Sequence, residues 1–223
     1  MGIEERKNRE REERHELILR KAKDLILDLG VDALTMQEIA AASELSKATL
    51  YLYFKNKDAI LTEILEDASS AFTDYAKSRI PEGASGLMAL HALWSSYLTL
   101  YGESQDVVVL TGIKNYIDPG FPLNMDGGNG KFGAAMGKMM ELIADVLRLG
   151  MADGSLARVK APERLAHTVI MIATSIIDTV TRIPRHRRDP HLISIEMRET
   201  FEILLRGLAA ENADPSLLKL MAQ

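Results

Sequence analysis

The chain has no cysteine, which removes disulfides, thiolate metal sites and cysteine nucleophiles together and fits a reducing cytoplasm. It also lacks a long hydrophobic run. The most apolar stretch, from about Leu165 to Val180, is interrupted by His167 and Asp178 and is shorter than the roughly 20 residues a membrane-spanning helix needs. The first 16 residues alternate acid and base with almost no apolar content, so they do not read as a secretory leader. Arg6 stands where an N-myristoylation signal needs Ser or Thr. A soluble, cytoplasmic protein with no membrane contact is expected. Nor is there an excess of basic residues. The formal net charge of −5 does not suggest a nucleic-acid ligand, so any such role must rest on local charge.

Catalytic chemistry is equally sparse. No paired carboxylates at catalytic spacing, no nucleophile–base pair and no metal-ligand cluster stand out, so neither enzymatic activity nor a cofactor is expected. Gly128-x-Gly130-x-x-Gly133 spells a dinucleotide fingerprint, but no strand precedes it. Asn124-x-Asp126 resembles the start of a calcium loop, with Ala135 where the final glutamate belongs. His186 and His191 straddle a turn without carboxylate company, so no metal site is expected there.

What the sequence does contain is helical periodicity, with no convincing β-type alternation. Glu10 to Leu29 places Ile18, Ala22, Leu25, Ile26 and Leu29 on one face and ends at Gly30. Charged residues from Glu4 to Glu16 predict a frayed, salt-laced start to this helix. Thr35-x-x-Glu38 is a capping box opening a short helix to about Ala42. Ser43-Glu44-Leu45 is a tight break, Ser46 caps a third helix from Lys47 to about Tyr53, and Asn56 and Asp58 bracket the start of a longer one. Further helices are predicted over Leu87–Tyr101, Gln105–Ile117, Lys131–Met151, Pro162–Arg182 and Pro190–Ala210. Asp118 to Gly130, with two prolines and four glycines, reads as a loop or lid. The fold class expected is all-α, with about nine helices.

Two short helices joined by a three-residue break have the geometry of a helix-turn-helix, whose second helix enters the DNA major groove. Leu34, Ile39, Ala40, Leu45, Leu50 and Phe54 are its expected core, which leaves Lys47, Ala48, Thr49 and Leu52 facing outward. Lys47 and Thr49 could donate to base edges, while Ala48 and Leu52 touch thymine methyls. From Leu45 to Lys57 the chain carries three lysines and no acid. Thr35 at a helix N-terminus, the phenols of Tyr51 and Tyr53, and Lys57 are suited to phosphates. With Ser46 these make up the expected DNA-binding set.

The run Gly30-Val31-Asp32-Ala33-Leu34-Thr35-Met36-Gln37-Glu38-Ile39-Ala40, followed by Ser46-Lys47-Ala48-Thr49-Leu50-Tyr51-Leu52-Tyr53-Phe54-Lys55-Asn56-Lys57-Asp58, resembles the N-terminal domain of the TetR family, and the likeness spans Glu12 to Leu61. It departs at the turn, where the family usually has Ala-Gly-Val and this chain has Ser43-Glu44-Leu45. The resemblance implies a DNA-binding domain over residues 1–57 and an all-helical effector-binding and dimerisation domain over 58–223. It further implies a homodimer paired through the last two long helices, a pseudo-palindromic operator in double-stranded DNA, and repression relieved by a small molecule. An activator without a small ligand and an all-helical protein-interaction module, favoured by the acidic Glu44, are the alternatives.

For the effector, aromatic and methionine residues point to a hydrophobic or aromatic compound. The candidate lining is Trp94, Leu98, Tyr101, Tyr116, Met136, Met140, His167 and Ile170, with Tyr97 and Met139 nearby in sequence; ordinary core packing is the competing reading for each. Arg182, Arg185, Arg187 and Arg188 form a second basic cluster, expected to be a solvated interhelical loop.

Overall fold

A computed structural model describes residues 2–117 and 131–221 of the chain. Its elements, in chain order, are α1 (Ile3–Leu29), α2 (Met36–Ala42), α3 (Lys47–Tyr51), α4 (Lys57–Ser78), α5 (Gly86–Glu103), α6 (Gln105–Thr111), α7 (Lys114–Ile117), α8 (Lys131–Asp153), α9 (Pro162–Arg182) and α10 (Pro190–Leu208). Short 3-10 turns at Val31–Ala33, Arg185–Arg187 and Pro215–Leu218 complete the described structure. The described residues contain no strand, only an isolated bridge between Leu156 and Ala209. The fold is all-α, and no described helix is long and apolar enough to cross a membrane.

Each of the nine segments with helical periodicity is helical, with two adjustments. α1 is continuous from Ile3, its exposed first turns carrying the i,i+4 pairs Arg6–Glu10 (2.8 Å) and Arg9–Glu13 (3.6 Å). The segment from Gln105 to Ile117 divides into α6 and α7 at Gly112. There α6 presses on α9 so closely that a Cβ on Gly112 would lie 2.2 Å from Thr181 Oγ1. The buried Thr181 hydroxyl contacts Val109 O at 2.5 Å and Ile177 O at 2.9 Å. The tertiary contact ends the helix there, where local periodicity alone would have carried it on.

The long helices enclose one continuous core. Ile60, Leu61, Ile64 and Leu65 on α4 are fully buried, and α4 packs on α5, α6 and α8. An aromatic ladder crosses three helices: Phe72 meets Tyr97 edge-on at 4.7 Å, Tyr97 meets Phe201 edge-on at 5.5 Å, and Phe201 stacks on Trp94 at 4.8 Å. Near the N-terminus, Ile18, Leu34, Ile39, Leu50 and Phe54 form the core of the α1–α3 unit, and His15 stacks on Phe54 at 4.7 Å.

The two ends of the molecule are tied together by the basic segment after α9. Gly30, at φ 87°, lies against the last turn of that helix, and a Cβ there would sit 2.4 Å from Arg182 O. Arg182 pairs with Asp32 (2.9 Å), while Arg185 reaches Asp28 (3.6 Å) and Asp106 (3.3 Å). Arg188 is half-buried and donates through Nε to Ile183 O at 2.8 Å. The expected solvated loop is therefore an ion-paired clamp between α9, α6 and the end of α1, because the fold brings Asp28, Asp32 and Asp106 to its cations.

Candidate nucleic-acid interface and interior cavity

The helix-turn-helix is specified by caps. At α2, Glu38 N donates to Thr35 Oγ1 (3.2 Å) and Thr35 N donates to Glu38 Oε2 (2.8 Å), a complete capping box. The turn after α2 closes as a Schellman motif, with Leu45 N donating to Ala40 O (2.8 Å) and Glu44 N to Ala41 O (3.1 Å). This motif needs a left-handed residue, and Glu44 supplies it at φ 57°, the one non-glycine described with positive φ. Ser46 then caps α3, accepting from Thr49 N at 3.0 Å, and its hydroxyl also bonds Thr49 Oγ1 at 2.8 Å. Asn56 caps α4 by accepting from Ala59 N at 2.9 Å.

These caps set the exposed face. Lys47, Ala48 and Tyr51 are exposed on α3, and Leu52 is 76% exposed just beyond it. Tyr53 is half-buried and lines a groove with Leu52 and the α1 residues Lys7, Arg11 and Arg14, interleaved with Glu10 and Glu13. Thr49 is half-buried, its hydroxyl engaged with Ser46. Thr35 is exposed, but the Glu38 carboxylate already takes its amide.

Lys57, expected at a phosphate, has intramolecular partners. Its ammonium turns inward, donating to Leu34 O (2.9 Å) and Tyr116 Oη (2.5 Å), with Nζ 4.6 Å from the centre of the Tyr116 ring. The first residue of α4 thus bonds the N-terminal unit to α7, and this long-range contact has no local sequence signal.

Deeper in the molecule, α4, α5, α6, α7, α8 and α9 surround a cavity of about 50 Å³. Ser69, Phe72, Trp94, Tyr97, Thr111, Lys114, Met139, Ile143, Ile170, Ala173 and Thr174 line it. Of the expected lining it includes Trp94 and Ile170, together with neighbouring Tyr97 and Met139. Leu98 and Tyr101 instead face a separate groove shared with α10, lined also by Pro190 and His191. Tyr116 bonds Lys57 at the junction with the N-terminal unit. Met140 and His167 pack elsewhere on α8 and α9, His167 being buried. The Met136 side chain lies outside the described residues, as does Asp118 to Gly130, including the suggested lid and the calcium-loop residues Asn124 and Asp126.

Sequence reasoning passed over Lys114. Only 2% exposed, it donates to Thr174 Oγ1, whose own hydroxyl donates to Ile170 O at 2.7 Å. Burial pulls its pKa down to about 8, partly opposed by the Asp178 carboxylate. Burial also pushes the Tyr97 phenol up to about 12, partly offset by its hydrogen bond to Thr111 (3.4 Å). The signal was present in the sequence: Lys114 is the sole charged residue between Asp106 and Asp118.

Residues 18–64 match the family model of bacterial regulatory proteins, tetR family. An uncharacterised HTH-type transcriptional regulator, YdeS of Bacillus subtilis, is 35% identical over 80 residues, covering 35% of this chain and 37% of that protein. The chain therefore spans little more than a third of the length of this curated relative. Among solved structures, the TetR-family regulator PfmR of Thermus thermophilus is 24% identical, with a TM-score of 0.58 and coverage of 85% of this chain and 97% of that one. FadR of Thermus thermophilus, a TetR-family repressor in complex with lauroyl-CoA, is 20% identical, with a TM-score of 0.56 and coverage of 89% and 97%. At these identities the likeness is one of fold.

Proposed function

We propose that this chain is a DNA-binding transcriptional repressor of the tetR family, released by a small molecule, a reading supported by the match of residues 18–64 to the model of that family. The observation that carries the reading is the face of α3. A short helix capped by Ser46 presents Lys47, Ala48, Tyr51 and a largely bare Leu52 to solvent, an arrangement suited to base edges and thymine methyls. Thr35, Ser46, Thr49 and Tyr53 flank it as phosphate or base contacts, and Lys7, Arg11 and Arg14 add an electrostatic rim. In this reading residues 1–57 bind DNA, and residues 58–223 hold the effector and pair two copies. Ile172 on α9 and Leu192 and Ile203 on α10, all exposed, would be covered by the partner helices.

The cavity is the proposed effector site, and two links join it to the reading head. α4 lines it through Ser69 and Phe72 and begins at the Lys57–Leu34 bond. α7 carries Lys114 into it and Tyr116 against Lys57. An effector that resets α4 or α7 would alter the separation of the two recognition helices.

Fluorescence anisotropy against DNA fragments from upstream of the chain's own gene, at two salt concentrations, tests the reading. Tight binding with a steep salt dependence is expected, and Lys47→Ala should weaken specific binding by about tenfold or more, equivalent to about 1–3 kcal/mol per base contact. Weak binding, erased by moderate salt and indifferent to Lys47→Ala across a genomic fragment library, would refute it.

A further inference from the structure

The exposed first turns of α1 sort their charges by face. Glu10 and Glu13 reach the groove beside α3, but each already has a counter-charge, from Arg6 (2.8 Å) and Arg9 (3.6 Å). Lys7, Arg11 and Arg14 reach the same groove, are exposed, and have no ion-pair partner among the described residues. Spaced i, i+4 and i+7, they occupy one helical face. Ile18, buried in the core of the α1–α3 unit, continues that face. Glu5, Glu12 and Glu16 fall on the opposite one.

This cationic stripe is continuous with the outward face of α3. Leu52 and Tyr53 form the other wall of the groove, and His15 stacks on Phe54, which fixes α1 against the chain that leaves α3. Because α1 is one unbroken helix from Ile3 to Leu29, the stripe is held in a set place beside the recognition helix. From Lys7 to Arg14 it runs about 10 Å, at 1.5 Å per residue. One strand of a DNA duplex presents a phosphate about every 3.4 Å of helix axis, so three unpaired cations over that length match its charge density. Resting on the reading of α3 as a recognition helix, we propose that Lys7, Arg11 and Arg14 form a second DNA-binding surface, which holds the phosphates flanking the bases that α3 reads. Contacts to phosphate position a protein without reading sequence, so this surface adds affinity and length of footprint, not preference for one operator.

Salt dependence is the signature of such a surface. Each phosphate neutralised contributes about −0.9 to the slope of log affinity against log salt. Losing three cations should therefore flatten that slope by about two to three. The acids of the groove predict the opposite sign. Glu10→Gln combined with Glu13→Gln frees Arg6 and Arg9 for the DNA and should tighten binding, a gain that misfolding does not imitate.

The full chain is titrated by fluorescence anisotropy at about 50 and 200 mM salt against two duplexes of equal length, one from upstream of its own gene and one unrelated. Lys7→Ala, Arg11→Ala and Arg14→Ala combined should weaken binding to both duplexes by about tenfold or more at the lower salt and leave their affinity ratio unchanged. Lys47→Ala, by contrast, should lower the ratio. Arg158→Ala, Lys160→Ala and Arg164→Ala combined remove the same charge from exposed positions at and before the start of α9, and should leave the slope in place. Circular dichroism checks the helix content of each variant. An unchanged slope in the α1 variant, an equal loss in the α9 variant, a changed affinity ratio, or weaker binding after the two glutamate substitutions would overturn the proposal. Wild-type protein that binds both duplexes alike, with its slope flattened in the α1 variant, would leave this surface standing and refute only the operator reading. Binding to neither duplex would refute both.

Discussion

Between Thr35 and Asn56 each helix start is capped by a residue three positions before the amide it satisfies, and the outward face is a run of neighbours from Lys47 to Leu52. The cavity is assembled differently. Its walls come from six helices between Ser69 and Thr174, and Lys114, the one charged residue among its described lining, sits on a four-residue helix, α7, packed against α4. A helix-turn-helix can be encoded locally because its order comes from hydrogen bonds between residues close in sequence. A pocket cannot, because enclosure is a property of distant segments meeting.

The largest effect that would sharpen this contrast is loss of the local unit's own core. Leu50→Ala, at a fully buried position, should cost roughly 2–5 kcal/mol and abolish DNA binding while Trp94 emission still reports an intact cavity. Thermal unfolding followed by circular dichroism and by fluorescence would separate the two regions.

Next comes the buried charge. With Lys114 held at about 8 when folded, against 10.5 when free, the unfolded chain binds more protons between those values. Wild-type stability relative to Lys114→Met should therefore rise as pH climbs from 8 to 10.5, by on the order of 3 kcal/mol, at about 1.4 kcal/mol per pKa unit. Below pH 8 the penalty is present in full. Urea titrations of both proteins across that window would reveal a flat difference if Lys114 were instead well solvated.

Smaller effects probe the turn and the bare face. Glu44→Gly relieves a left-handed side chain at φ 57° and should stabilise by about 1 kcal/mol. Removing a negative charge beside the proposed DNA surface should also strengthen binding at low salt; weaker binding would mean that the carboxylate has a role of its own. Leu52→Ala should be smallest in stability, within about 0.5 kcal/mol, since the side chain is 76% exposed. A marked loss of DNA affinity at unchanged unfolding midpoint would mark Leu52 as a recognition residue, whereas no loss would remove it from the interface.

Much of the helix-turn-helix was legible in the sequence. The Thr35–Glu38 box, the Ser46 and Asn56 caps and the apolar set Leu34, Ile39, Ala40, Leu50 and Phe54 could all be read from spacing. The neighbourhoods of Lys57 and Thr49 could not. Lys57 looks like a surface cation until α7 brings Tyr116 to it. Thr49 looks free until the cap geometry joins its hydroxyl to Ser46. For the cavity, residue type was a poor guide. Tyr101, Leu98 and His167 are as apolar or as large as the residues that line it, but they point to other neighbours, while Lys114, of a residue type ordinarily found in water, is buried.

The sequence by itself determined an all-helical fold, the order and approximate ends of its helices, and a capped helix-turn-helix near the N-terminus. These follow from periodicity and from bonds spanning three to five residues, which neighbours in sequence already specify. The tertiary structure alone decided the break at Gly112, the clamp of Arg182 and Arg185 on Asp32, Asp28 and Asp106, the inward turn of Lys57, and the enclosure of Lys114 beside Trp94. Each of these depends on which helices meet and at what distance, and a burial penalty or an ion pair exists only once the partners are in place.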